Sequence, residues 1–251
     1  MITSYSNPKL KNVRELLERA KERKKAGAFV IEGIRMFDET PEELLIETFL
    51  SESFHNANPA IQGEVVSEGI FKKLSDTRTP QGIMAVVKQP RYDAEEILKG
   101  DKKLFLVLEG IQDPGNLGTM VRTGEAAGAA AIIMDRDTAD IFSPKVVRAT
   151  MGSIYRMPCI YTDDLQGTVK DMKEKGIKIY AADLRGEKYY HETEYEDRTA
   201  FLIGNEGNGL SSEMLSLSDI RIKIPMKGKT ESLNAAVAAA ILMYSYTTKE
   251  V

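Results

Sequence analysis

Soft metal ligands are scarce in this 251-residue chain: one cysteine, Cys159, and two widely separated histidines, His55 and His191. A single cysteine excludes an internal disulfide and suits a reducing compartment. With so few thiols and imidazoles, no zinc-type site is expected and no metal is assigned. Long apolar runs are also missing; none approaches the roughly 20 residues that cross a bilayer. The opening Met1-Ile-Thr-Ser-Tyr-Ser-Asn-Pro8 has no apolar core of the kind a signal peptide needs. The expectation is a cytoplasmic protein without a membrane partner. There is no internal repeat and no low-complexity tract. Nor does charge of one sign dominate: the formal net charge is −4, with 42% hydrophobic and 29% charged residues, as in a soluble globular protein. Bulk electrostatics therefore does not advertise a nucleic-acid partner.

The distribution of charge says more than its sum. Residues 1–35 hold nine Lys/Arg against four Asp/Glu, residues 36–70 none against eight, and residues 71–92 five against one. The two basic stretches would meet a polyanion if they shared a face. A solvated helix carrying i,i+4 pairs such as Glu15–Arg19 explains the first stretch equally well.

Hydrophobic periodicity predicts one helix from Lys9 to about Lys25, with Leu10, Val13, Leu16, Leu17 and Ala20 along a face, ended by Gly27. Short apolar runs at Phe29–Gly33, Leu44–Leu50, Glu64–Val66 and Ile83–Val87 read as strands of a compact α/β unit. Polar residues around Lys88–Asp93 and Lys99–Lys103 mark a connection. The boundary is drawn there, giving domains 1–97 and 98–251. Beyond it, strands are expected at Leu104–Leu108, Ala131–Met134, Ile177–Ala181, Ala200–Ile203 and Ile220–Ile224. Helices alternate with them, the last running from about Asn234 to Tyr246. This order predicts an α/β fold with a mainly parallel sheet covered on both faces.

Two nucleotide signatures fail on inspection. Gly228-Lys229-Thr230 looks like the end of a P-loop, but the earlier glycine it requires falls at Lys223. Gly204-Asn-Glu-Gly-Asn-Gly209 has its glycines in the wrong order for a dinucleotide fingerprint. An NAD or ATP enzyme is disfavoured. Three other segments lie just past expected strand ends, where open α/β sheets hold ligands. They are Asn116-Leu-Gly118-Thr-Met-Val-Arg122, the loop Gly204-Asn205-Glu206, and Ile224-Pro225-Met226 leading through Glu231-Ser232-Leu233-Asn234 into an alanine-rich helix.

Together these segments resemble the SpoU (TrmH-type) RNA ribose methyltransferases of the SPOUT class, over about residues 104–246 and without departure at a motif position. The N-terminal part, with Asn7-Pro8 and Phe29-Val-Ile-Glu-Gly33, is similar to the substrate-binding domain of rRNA-directed members. The resemblance implies a C-terminal deep trefoil knot, a feature otherwise nearly absent from proteins. It implies S-adenosylmethionine as cofactor, held in a bent shape by residues at Gly204, Ile224, Met226, Leu233 and Asn234. It makes Arg122 the leading catalytic candidate, with Asn116, Glu206, Ser232 and Asn234 around it. A homodimer through the knotted domain is also implied.

A guanidinium with a pKa above about 12 is a poor base. Arg122 is therefore read as a clamp on a phosphate that orients the ribose. The proton then goes to water or to Glu206, which is equally well read as a structural carboxylate of its own loop. The expected function is methylation of a ribose 2′-hydroxyl in RNA, with 23S rRNA preferred because of the appended N-terminal domain. Alternatives are a tRNA ribose methyltransferase, a catalytically idle RNA-binding or ribosome assembly factor, and a small-molecule α/β transferase.

Overall fold

The computed structural model describes residues 1–248. The chain forms two compact units, Met1–Pro90 with Asp140–Tyr155, and Arg91–Ala139 with Arg156–Val251. Where the sequence suggests one boundary at 97/98, the backbone passes between the units three times.

In the first unit, β1 (Ala28–Glu32), β2 (Leu45–Ser51), β3 (Glu64–Val66) and β4 (Ile83–Lys88) form a sheet in the order β1-β4-β2-β3. Both β1 and β2 run antiparallel to β4, and β3 runs parallel to β2. Leu10, Val13 and Leu16 of the helix Pro8–Glu18 bury against Val30, Phe49 and Met84 of this sheet. Asn7 caps that helix, accepting the Lys9 N–H at 2.9 Å, with Pro8 at the tolerated first position.

The single helix expected over residues 9–25 is two helices, Pro8–Glu18 and Ala20–Ala26, broken at an extended Arg19. Arg23 explains how the break is tolerated. It is only 5% exposed. Its Nη1 donates to the Leu16 and Leu17 carbonyls, at 2.6 and 3.0 Å, which the interrupted helix leaves open. Its Nε and Nη2 meet Asp140 Oδ2 at 2.8 and 2.7 Å. Ala20, expected on the buried face, is exposed as a result. Asp140–Tyr155 belongs to this unit through such contacts: Phe142 packs on Phe29 with ring centroids 5.0 Å apart, and Tyr155 Oη lies 2.8 Å from Thr40 Oγ1.

The second unit holds β5 (Leu104–Leu108), β6 (Ala131–Met134), β7 (Cys159–Tyr161), β8 (Lys178–Ala182), β9 (Lys188–Tyr189), β10 (Thr199–Ile203) and β11 (Ile220–Lys223). Their order is β7-β6-β5-β10-β8-β11-β9, and every pairing is parallel. The central strands β5 and β10 are buried throughout, as parallel strands covered on both sides must be. Side chains alternate between faces. Phe105, Val107, Ala200 and Leu202 share a core with Val169 and Met172 of the helix Leu165–Glu174 and with Met214. The other face carries the helix Pro114–Ala126, whose Gly124 lies over Ile132.

The helix Ala235–Thr247 packs against Pro114–Ala126, β10 and β5. Its alanines make sense there: Ala235, Ala236 and Ala239 are buried, and the neighbouring helix buries Gly118 and Gly124. Small residues on both helices let their axes approach closely. Because all seven strands run the same way, the C-terminal ends of β5, β8, β10 and β11 lie along one edge of the sheet. Among the described residues, no helix is long and apolar enough to cross a membrane.

Candidate active site

The turn after β5 reaches its helix through Gly110, whose φ of +65° suits glycine. Asp113 caps the helix, its Oδ1 accepting the Asn116 N–H at 2.8 Å, and Pro114 takes the first position. The loop after β10 is tied to this turn by its side chains. Asn205 donates through Nδ2 to the Gly110 carbonyl at 2.7 Å, while its Oδ1 accepts the Gly207 and Asn208 N–H groups at 2.9 and 3.1 Å. Backbone hydrogen bonds between Asn205 and Gly209 close the loop on itself. Gly204 is glycine because of that closure. A Cβ there would overlap the backbone of Gly209 and Leu210, so the close approach comes from the loop's own chain.

Glu206 spans the two segments. Its carboxylate accepts the Gln112 N–H at 3.0 Å, the Asp113 N–H at 3.1 Å and the Asn116 Nδ2 at 3.0 Å. Burial by itself would push its pKa up. The bonds from Asn116 and the backbone amides outweigh that and leave it below the ordinary carboxylate value. Such a carboxylate stays ionised and is a weaker base than an ordinary one, which favours the structural role. Asn116 in turn accepts from Asn234 Nδ2 at 2.8 Å. Asn234 caps the alanine-rich helix, its Oδ1 accepting the Ala236 and Val237 N–H groups at 2.9 and 3.2 Å. A continuous chain of polar contacts, Asn234 to Asn116 to Glu206, joins the three segments named from the sequence.

Beside it lies a cavity of about 410 Å³, within the usual range for small-ligand sites. Gly204, Ile224, Met226 and Leu233 line it, as do Glu206 and Ser232. Asn116, Asn234 and Arg122 are not among its walls. Arg122 is exposed on the helix Pro114–Ala126, six residues beyond Asn116, and forms no hydrogen bond or ion pair with the described residues. Three features escaped the sequence reading. Two are the backbone donors of Gln112 and Asp113. The third is Asp183, just after β8, which lines the cavity.

The residues present fit an adenosyl sulfonium ligand. Ile203, Ile224, Met226 and Leu233 offer apolar walls for a purine. Gly204 and Ile224, just past β10 and β11, bring main-chain groups to the same cavity. A buried carboxylate oxygen without a hydrogen bond among the described residues, Asp183 Oδ2, adds an acceptor.

An all-parallel α/β sheet with its polar network and cavity at the strand C-termini, on these motifs, defines a methyltransferase-type site. Residues 103–244 match the SpoU rRNA Methylase family, and residues 7–85 match the MRM3-like substrate binding domain. The chain belongs to the SpoU rRNA methylase family. It is 37% identical, over 97% of both chains, to the 23S rRNA (guanosine(2553)-2′-O)-methyltransferase RlmP of Bacillus subtilis. Among solved structures it resembles the SpoU methyltransferase AviRb from Streptomyces viridochromogenes in complex with AdoMet. There the TM-score is 0.84 and the identity 25%, over 97% of this chain and 98% of that one. It also resembles the AdoMet-bound rRNA methyltransferase from Sinorhizobium meliloti, with a TM-score of 0.82 and 29% identity over 100% and 97%.

Proposed function

We propose that this protein transfers the methyl group of S-adenosylmethionine to a ribose 2′-hydroxyl of RNA, with 23S rRNA as the substrate. The observation that carries the reading is the Asn234–Asn116–Glu206 network beside a cavity lined by Gly204, Ile224, Met226 and Leu233. The substrate of the Bacillus relative and the match of residues 7–85 to a substrate-binding domain support rRNA over tRNA and over an idle assembly factor.

When bound, the cofactor supplies a methyl group on a sulfonium, which needs only an in-line nucleophile. The protein's contribution is therefore alignment. Gly204, Ile224, Met226 and Leu233 would hold the adenosyl part, supplying apolar contact and main-chain donors and acceptors. Glu206 and Asn116 fix the two loops against each other, and Asn234 fixes the helix start. Ser232, exposed at the cavity wall, orients the ribose. Arg122 clamps a phosphate of the bound nucleotide, and its guanidinium stabilises the negative charge that develops at the 2′-oxygen. The hydroxyl proton leaves to water, since three donors stabilise the ionised Glu206 carboxylate and make it a weaker base.

Two copies complete the arrangement. Val237 and Tyr244, 47% and 45% exposed and seven residues apart on one face of the alanine-rich helix, support a homodimer through this unit. Arg122 on the adjoining helix then serves a site to which both subunits contribute. The insertion of β11 between β8 and β9, two strands joined by a short connection, supports the trefoil knot. We place the protein in the cytoplasm, where its substrate is made.

The test is transfer of tritiated methyl from S-adenosylmethionine to rRNA taken from cells lacking the protein. A 2′-O-methyl blocks alkaline cleavage of the adjoining phosphodiester, so label is expected in an alkali-resistant dinucleotide of 23S rRNA. Label in a base, or none, overturns the reading; label in tRNA alone overturns the substrate.

A further inference from the structure

We propose that Asp183 is the acceptor for the ribose hydroxyls of the adenosyl ligand. This inference rests on the cofactor reading above and assigns one contact within it. Asp183 follows β8 directly, at the sheet edge that also carries Gly204 and Ile224, and it lines the same cavity. Its side chain is only 9% exposed. Oδ1 accepts the Arg185 N–H at 3.0 Å, whereas Oδ2 is buried without a hydrogen-bond partner among the described residues. The backbone around it is fixed: its N–H donates to the Ile222 carbonyl at 3.0 Å, and its carbonyl accepts the Gly186 N–H at 2.9 Å. A buried carboxylate oxygen left without a donor is costly. Such an oxygen calls for a partner from outside the chain, an ordered water or a ligand; its place on the cavity wall favours the ligand.

The charge around Asp183 tells which part of the ligand that is. The Arg185 guanidinium lies 3.8 Å from Oδ1, and that of Arg221 lies 3.9 Å from Oδ2. Both are too long for hydrogen bonds, but they are close enough to compensate the carboxylate's charge. Oδ2 therefore lacks a donor rather than a cation. A neutral hydroxyl pair meets that need better than the ligand's α-ammonium or its sulfonium. Acidic side chains at strand ends take ribose hydroxyls in the same manner in dinucleotide-binding folds.

The experiment is titration calorimetry of the full-length protein with two probes. One is S-adenosylhomocysteine. The other is 5′-methylthioadenosine, which carries the ribose but no amino-acid group. Asp183→Ala should weaken both by at least tenfold and by similar factors. Wild type should prefer 5′-methylthioadenosine over its 2′,3′-dideoxy form, and Asp183→Ala should lose that preference. Asp183→Asn, which keeps the Oδ1 acceptor for Arg185, should show the same direction and guards against misfolding of the alanine variant. Its unliganded melting temperature should stay within a few degrees of wild type. Unchanged affinities sink the proposal. So does a loss confined to S-adenosylhomocysteine, which would assign Asp183 to the ammonium. A wild type that binds neither probe overturns the cofactor reading itself, and this inference with it.

Discussion

Asn116 and Glu206, ninety positions apart in sequence, are joined by a 3.0 Å hydrogen bond from amide to carboxylate, with two main-chain amides donating to the same carboxylate. The bond locks the turn after β5 to the loop after β10. Glu206 thereby becomes part of the scaffold, and its ionisation becomes coupled to folding.

The folded-state pKa of Glu206 is lowered, so its contribution to stability is complete above the unfolded value of about 4.3 and fades as pH falls through the folded value. Glu206→Gln should accordingly be less stable than wild type at pH 7, and the gap should close on acidification below about pH 4. Urea melts at pH 7, 5 and 3.5 measure this. A gap independent of pH would remove the carboxylate's charge from the account.

Arg122→Ala should abolish methyl transfer while leaving affinity for S-adenosylhomocysteine within a few-fold, because the exposed side chain forms no hydrogen bond or ion pair with the described residues. Arg122→Lys should retain part of the activity near neutral pH, since a phosphate clamp needs charge more than shape. Single-turnover rates and calorimetry check the pair. Equal loss of binding and turnover would make Arg122 a folding or cofactor residue.

Ser232→Ala and Asn234→Ala should both slow methylation but part company on stability. The Asn234 side chain caps a helix and holds Asn116, so its loss should cost about 1 kcal/mol or more. Ser232 has no hydrogen bond to the described residues and should cost nothing measurable. Chemical denaturation beside activity assays separates the two. Full activity in both variants would take this loop out of the mechanism.

Gly204→Ala should fail for a reason other than left-handed backbone. Its Cβ would collide with the backbone of Gly209 and Leu210, so the 204–210 loop must open. The expected cost is about 1–3 kcal/mol, together with loss of cofactor affinity by calorimetry. Wild-type affinity in this variant would mean that the loop adapts.

Much of this was legible in the amino-acid order. Leu104–Leu108 and Ala131–Met134 are continuous apolar runs because both faces of a parallel strand are covered, and their bounds match the structure. Cys159–Tyr161 and Lys188–Tyr189 were not foreseen. They are three and two residues long, partly or fully exposed at the sheet's flanks, and carry no periodic signal. The helix Ala94–Lys99 was hidden in a polar connection, although Asp93 caps it through the Glu95 and Glu96 N–H groups. The break at Arg19 has no local breaker; it depends on Arg23 meeting Asp140, a contact across 117 positions. In the site, motif residues were readable by type and spacing. The main-chain donors of Gln112 and Asp113 have no residue code at all. Asp183 is one acid after one strand, and only the burial of its free oxygen sets it apart.

The position of β11 has a consequence for synthesis on the ribosome. This strand enters between β8 and β9, and among the described residues the two-residue β9 pairs with β11 alone. Until residues 220–223 emerge, β8 is an open margin, β9 has nothing to join, and the wall contributed by Ile224, Met226 and Leu233 does not exist. A nascent chain stalled before this strand thus lacks the pocket proposed for its methyl donor, however well the preceding strands have paired. Competence arrives in one late step.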